Sequence, residues 1–226
     1  MEKIVVANLK ANLAPGHVES WLQAFSDTCK PASSVQVVLA VPFLYMERLA
    51  EKIGGMERVT LAAQGVSPYP PGGYTGATPA AWLKGLAGYA LVGHRERRHY
   101  FHEDIQSVAG QVREAAAAGL RPILCLDRAS RRGQLAALDS SDLEQALLAY
   151  TPAGAVKLEV AVANEDIIDA AASLAGSSGG RPVLYGGGVH KENAAELINL
   201  QGIAGIMVGR GCLEGADFAD LVNRIG

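Results

Sequence analysis

Eight short apolar runs alternate with eight helix-patterned stretches along this chain, and that alternation constrains the fold more than any other feature. The runs are Lys3–Ala7, Gln36–Ala40, Thr60–Ala63, Tyr89–Val92, Arg121–Leu126, Ala155–Ala161, Pro182–Tyr185 and Gly205–Val208. The helical stretches fall near 17–30, 43–54, 78–86, 104–118, 140–149, 164–175, 191–199 and 215–225. Strict alternation implies parallel strands joined by right-handed crossovers. The strand runs suit burial on both faces. Eight such units close into a (β/α)8 barrel; an open doubly wound sheet is the rival, but it usually carries fewer strands. No linker or low-complexity segment divides the 226 residues, so 1–226 reads as one α/β barrel domain.

Composition then excludes several classes of function. The formal net charge is −3 and Lys and Arg are scattered, so nothing predicts nucleic-acid binding. No run approaches the roughly 18 apolar residues of a membrane span, and the N-terminal run is too short for a secretion signal. Cys29, Cys125 and Cys212 are far apart and fit neither a metal site nor a disulfide framework, which predicts reduced thiols in a cytoplasmic protein. No His/Cys/carboxylate cluster has metal-ligand spacing and no dinucleotide fingerprint occurs, so no metal and no cofactor is expected.

In such barrels the chemistry sits at the C-terminal strand ends. Read from these strand positions, the ends offer Asn8 and Lys10, Gln64, His94 and Glu96, Glu159, Gly186–Gly188 and Gly209–Gly211. One imidazole, one ammonium, one amide, a carboxylate and two Gly-rich turns suit proton transfer on a small phosphorylated molecule. Each has a plainer reading as well: a loop cap for Asn8, a strand-to-helix link for the Gly turns. Glu159 alternates with Lys157 and either points inward or pairs with it.

Several segments resemble the triosephosphate isomerase family over nearly the whole chain. Asn8-Leu9-Lys10-Ala11-Asn12 is similar to its Asn-Trp-Lys-Met-Asn segment, and Gly93-His94-Arg95-Glu96-Arg97-Arg98 to its Gly-His-Ser-Glu-Arg-Arg. Ala63–Pro68 continuing to Gly73–Gly76 resembles the family's third loop, Tyr185–Val189 its seventh and Val208–Leu213 its eighth. The resemblance implies a TIM barrel and a cofactor-free aldose–ketose isomerase that interconverts glyceraldehyde 3-phosphate and dihydroxyacetone phosphate through an enediolate. It implies Glu159 as base, His94 as electrophile, and Lys10 and Asn8 as substrate donors. Gly187, Gly188, Gly209 and Arg210 would grip phosphate, with Glu96 and Arg97 as a supporting buried ion pair. It also implies a homodimer through loop 65–76, with Tyr74 and Thr75 at the partner; a monomer remains open if that loop folds back on its own barrel.

The departures cluster around the substrate. With Glu159 as the end of strand six, no Pro hinge and no Gly-Thr-Gly tip follows, and the lid reads as cut to a stub. Arg95 and Arg210 stand where the family has Ser and Gly. Arg128, Arg131 and Arg132 enrich an altered fifth loop. Weak isomerase activity is therefore expected. A non-catalytic phosphometabolite-binding or scaffold relative, or an isomerase of another phosphorylated sugar, is the alternative.

Overall fold

The computed structural model describes residues 2–158 and 160–225, with the backbone alone for 156–158. Eight parallel strands pair in sequence order and close on themselves, β1 meeting β8. They are β1 (Lys3–Asn8), β2 (Val35–Val41), β3 (Val59–Ala63), β4 (Tyr89–Val92), β5 (Arg121–Leu126), β6 (Leu147–Tyr150), β7 (Val183–Tyr185) and β8 (Ile203–Val208). The helices are α1 (Pro15–Thr28), α2 (Phe43–Ile53), α3 (Arg95–Tyr100), α4 (Ile105–Ala117), α5 (Arg131–Ala136), α6 (Ser140–Gln145), α7 (Ala153–Leu158), α8 (Asn164–Ser177), α9 (Ala194–Ile198) and α10 (Gly215–Asn223).

Successive strand residues point to opposite faces, and the strands sort accordingly into two cores. Ile4, Val6, Val38, Ala62, Ile123, Cys125, Leu147, Ala149, Leu184 and Met207 fill the barrel interior. The alternating set, including Val5, Val37, Leu61, Leu124, Leu148 and Ile206, packs outward beneath the helices. The seam between α1 and α10 is aromatic: Phe25 stacks on Trp21 at 5.4 Å and on Phe218 at 5.6 Å. Trp21 Nε1 donates to the Cys212 carbonyl at 2.8 Å, tying α1 to the turn after β8.

One strand lies elsewhere than its sequence predicts. The expected sixth strand, Ala155–Ala161, is not one: residues 153–158 form α7, and β6 is Leu147–Tyr150, inside the stretch expected to be helical. That stretch has no β-branched residue and continues the pattern of α6, which ends only because Ala146 turns extended (φ −83°, ψ 144°). Pairing on both sides selects the strand, Ile123 against Leu147 and Leu148 against Val183. Tertiary pairing outweighs local propensity here, as it often does in sheets.

Candidate active site

Interior parity determines what each strand presents at the barrel mouth. Two residues beyond the interior positions Val6, Ala62, Cys125, Ala149, Leu184 and Met207 come Asn8, Gln64, Asp127, Thr151, Gly186 and Gly209. Four of these (Asn8, Thr151, Gly186 and Gly209) join Lys10, His94, Glu96, Gly187, Gly188, Arg210 and Gly211 around a cavity of about 510 Å³.

Lys10 is held in an unusual backbone geometry. Its φ is +50°, in the left-handed region that costs a side-chain-bearing residue of order 1 kcal/mol or more. Two interior amides hold it there. Asn8 Oδ1 accepts from Lys10 N at 3.1 Å, and Gln64 Nε2 donates to the Lys10 carbonyl at 3.0 Å and to Ala40 O at 2.9 Å. The ammonium then meets Glu96 Oε1 at 2.5 Å.

His94 leaves β4 through Gly93, whose φ of +64° and contact with Val108 and Gln134 leave little room for a side chain. The ring caps α3: His94 Nδ1 accepts from the Glu96 backbone N–H at 3.3 Å. The proton of the neutral ring therefore sits on Nε2. Burial pushes the imidazole down to about 4; Lys10, Arg98 and Arg95 add to this, while Glu96 opposes it. At neutral pH His94 is an uncharged donor. Behind it Arg98 reaches the Gly93 carbonyl at 2.9 Å and Asp127 Oδ2 at 2.7 Å, fixing the turn. Burial alone would raise Asp127, but Arg98 and the Ser130 backbone N–H outweigh it and hold the carboxyl low.

The supporting ion pair differs from expectation. Glu96 pairs with Lys10, whereas Arg97 Nε donates to Glu103 Oε1 at 2.7 Å, and neither Glu96 nor Arg97 is fully buried. Of the loop arginines only Arg210 lines the mouth; Arg131 turns away to Ser173 on α8. Gln64 and Asp127 are site supports that their inward strand parity marks; Arg98 reaches Asp127 from α3.

Strand six brings the main correction. Its end is Tyr150, and the inward residue after it is Thr151, buried, with Oγ1 donating to Leu126 O at 3.3 Å. The carboxylate expected at that strand end is thus a hydroxyl. Glu159 itself lies outside the described residues. Among the described residues Glu96 is the only carboxylate that lines the mouth. Nor is the lid a stub: residues 151–163 connect β6 to α8, beginning with Pro152. Val162 N donates to Tyr185 Oη at 3.2 Å. A Cβ at Gly188 would collide with the backbone of Val160 and Ala161, so this segment lies directly on the seventh loop.

Gly186–Gly188 and Gly209–Gly211 form one wall of the cavity. Asn193 Nδ2 donates to Gly188 O at 2.9 Å and holds that turn. Among the described residues no group of His, Cys, Asp and Glu is arranged to hold a metal ion, and no helix is long and apolar enough to cross a membrane.

Residues 3–225 match the family model described as triosephosphate isomerase. The chain is 30% identical over 245 residues to the triosephosphate isomerase of Deinococcus radiodurans, covering 100% of both chains. It is 32% identical over 240 residues to that of Xylella fastidiosa strain M12, covering 96% of each. Its fold superposes on the crystal structure of triosephosphate isomerase from Bartonella henselae with a TM-score of 0.84 at 24% identity, over 99% of both chains.

Proposed function

From the premise that the chain belongs to the triosephosphate isomerase family, we propose that it is a slow aldose–ketose isomerase. It interconverts glyceraldehyde 3-phosphate and dihydroxyacetone phosphate at the barrel mouth. The observation that carries this reading is the donor half of the site: Lys10, Asn8 and a neutral His94 converge on one cavity beside two Gly-rich turns. Phosphate rests against Gly187, Gly188, Gly209 and Arg210. His94 Nε2–H and the Lys10 ammonium then face the carbonyl end, where charge develops as an enediolate forms. Donors fixed before reaction stabilise that charge without reorganising.

Proton removal from carbon is the slow step: with Thr151 at the end of strand six, the proton passes from carbon to a solvent water, which returns one to the neighbouring carbon of the enediolate. A hydroxyl with an ordinary alcohol pKa is a poor base, and a placed general base contributes about 10²–10⁴-fold. NMR of both triose phosphates, on protein from a host lacking its own isomerase, tests this. Thr151→Glu is expected to raise kcat at least tenfold. Glu159→Gln is expected to leave the residual rate within threefold; a complete loss would make Glu159 the base. A rate unchanged by Thr151→Glu, or a fast wild-type enzyme, would overturn the reading.

Thr151 also favours a second reading, a binding protein for a phosphorylated metabolite; ligand binding with no turnover in either protein would decide for it. We place the protein in the cytoplasm, where its three free, buried thiols suit a reducing compartment, and read it as a homodimer through loop 65–76.

A further inference from the structure

We propose that the preferred ligand of this mouth is a small phosphorylated carboxylic acid rather than a neutral phosphosugar. This rests on the phosphate grip proposed above and specifies the other end of the ligand. That end faces Asn8, Lys10, His94 and Thr151. A carboxylate side chain at the inward end of strand six would lie against the ligand's reacting end and repel a second carboxylate there. Thr151 places no charge there: its hydroxyl proton goes to Leu126 O at 3.3 Å, and the ligand's acid end is left to the Lys10, Asn8 and His94 donors.

The remaining charges agree. Glu96 is engaged by Lys10, and Asp127, the inward residue of the neighbouring β5, is engaged by Arg98. His94 accepts a backbone N–H at Nδ1 and so presents Nε2–H as a donor. His190, at the outer rim, pairs with Glu192 at 2.7 Å, and Arg210 adds positive charge to the phosphate side. Among the described residues, a ligand carboxylate at the Thr151 corner meets donors and no unpaired carboxylate. The cavity of about 510 Å³ suits a ligand of two to four carbons with its phosphate.

The test is isothermal calorimetry of the full chain with phosphoglycolate and with glycerol 3-phosphate between pH 7 and 9. A strand-six carboxylate must take up a proton before an acid can sit beside it, so affinity would then fall about tenfold per pH unit. The wild-type chain is expected to bind phosphoglycolate at least tenfold tighter than glycerol 3-phosphate. That affinity should change less than threefold across the range. Thr151→Glu, with its fold checked by circular dichroism, is expected to acquire the tenfold-per-unit dependence for phosphoglycolate only. Equal affinity for the two ligands, or a steep pH dependence in the wild-type chain, overturns the proposal while leaving the phosphate grip standing. Binding of neither ligand overturns both.

Discussion

Lys10 joins an unfavourable backbone to a side chain at the cavity, and two amides keep it so. Left-handed φ at a lysine persists only when its surroundings over-determine it. Gln64 contributes two of the hydrogen bonds that do this, to Lys10 O and Ala40 O. Gln64→Ala should therefore cost about 1–3 kcal/mol, since buried carbonyls lose their donor. It should also weaken phosphoglycolate binding by releasing the ammonium. Urea unfolding and calorimetry read the two effects; full stability with normal binding would show that the left-handed turn holds without Gln64. His94 gives a second prediction at this scale. Its folded value of about 4 lies below the ordinary 6.5. Between those values the unfolded chain binds a proton that the folded chain refuses, so His94 contributes a loss of stability as pH falls from about 6.5 to 4. Above 6.5 it contributes no slope. His94→Gln should flatten the stability profile in that window alone, read as urea midpoints at each pH. An unchanged slope would mean that other groups set it.

Between β6 and α8, Val160 and Ala161 lie against the seventh loop, and that contact depends on one glycine. Gly188 has φ +59°, and a Cβ there would meet the backbone of Val160 and Ala161. Gly188→Ala should cost at least about 1–2 kcal/mol from the left-handed backbone alone, and should also part residues 160–161 from the phosphate wall. Faster hydrogen exchange confined to residues 151–163 and 186–190, with weaker ligand binding, is the expected result; exchange like wild type would refute the contact. This region is also where the sequence was hardest to read. Seven of the eight strands were legible because β-branched runs such as Val35–Val41 and Ile203–Val208 signal strand locally. Leu147–Tyr150 carries no such signal: its identity comes from Cys125 and Leu184 pairing on either side of Ala149. The misplaced strand carried two functional readings with it, Glu159 as a strand-end carboxylate and the lid as a stub. That Asn8, Lys10 and His94 line one cavity was legible because each follows a correctly placed strand within a few residues.

At the scale of the whole molecule, one quadrant of the barrel rim differs from the rest. The segments following β2, β3 and β4 expose Phe43, Leu44, Tyr69, Tyr74, Tyr100 and Phe101. Three adjacent strand ends that all present large apolar side chains mark a surface suited to association. The longest of these segments is also stiff: Pro70 and Pro71 limit it, and Tyr69 stacks on Tyr74 at 4.5 Å with nearly parallel rings. A rigid loop loses little entropy on docking. A two-fold pairing of this quadrant would bring Thr75, exposed at the loop tip, towards the partner. The segment after β4 also carries His94 and Glu96, so the proposed pairing surface and the cavity share one set of loops. Light scattering should therefore give about twice the 23.6 kDa of one chain, and Tyr74→Asp should give a single chain with reduced ligand binding, because loops three and four lose their support together. A wild-type monomer would show that the loop packs on its own barrel, and a monomeric Tyr74→Asp with full binding would show that the site is complete within one subunit.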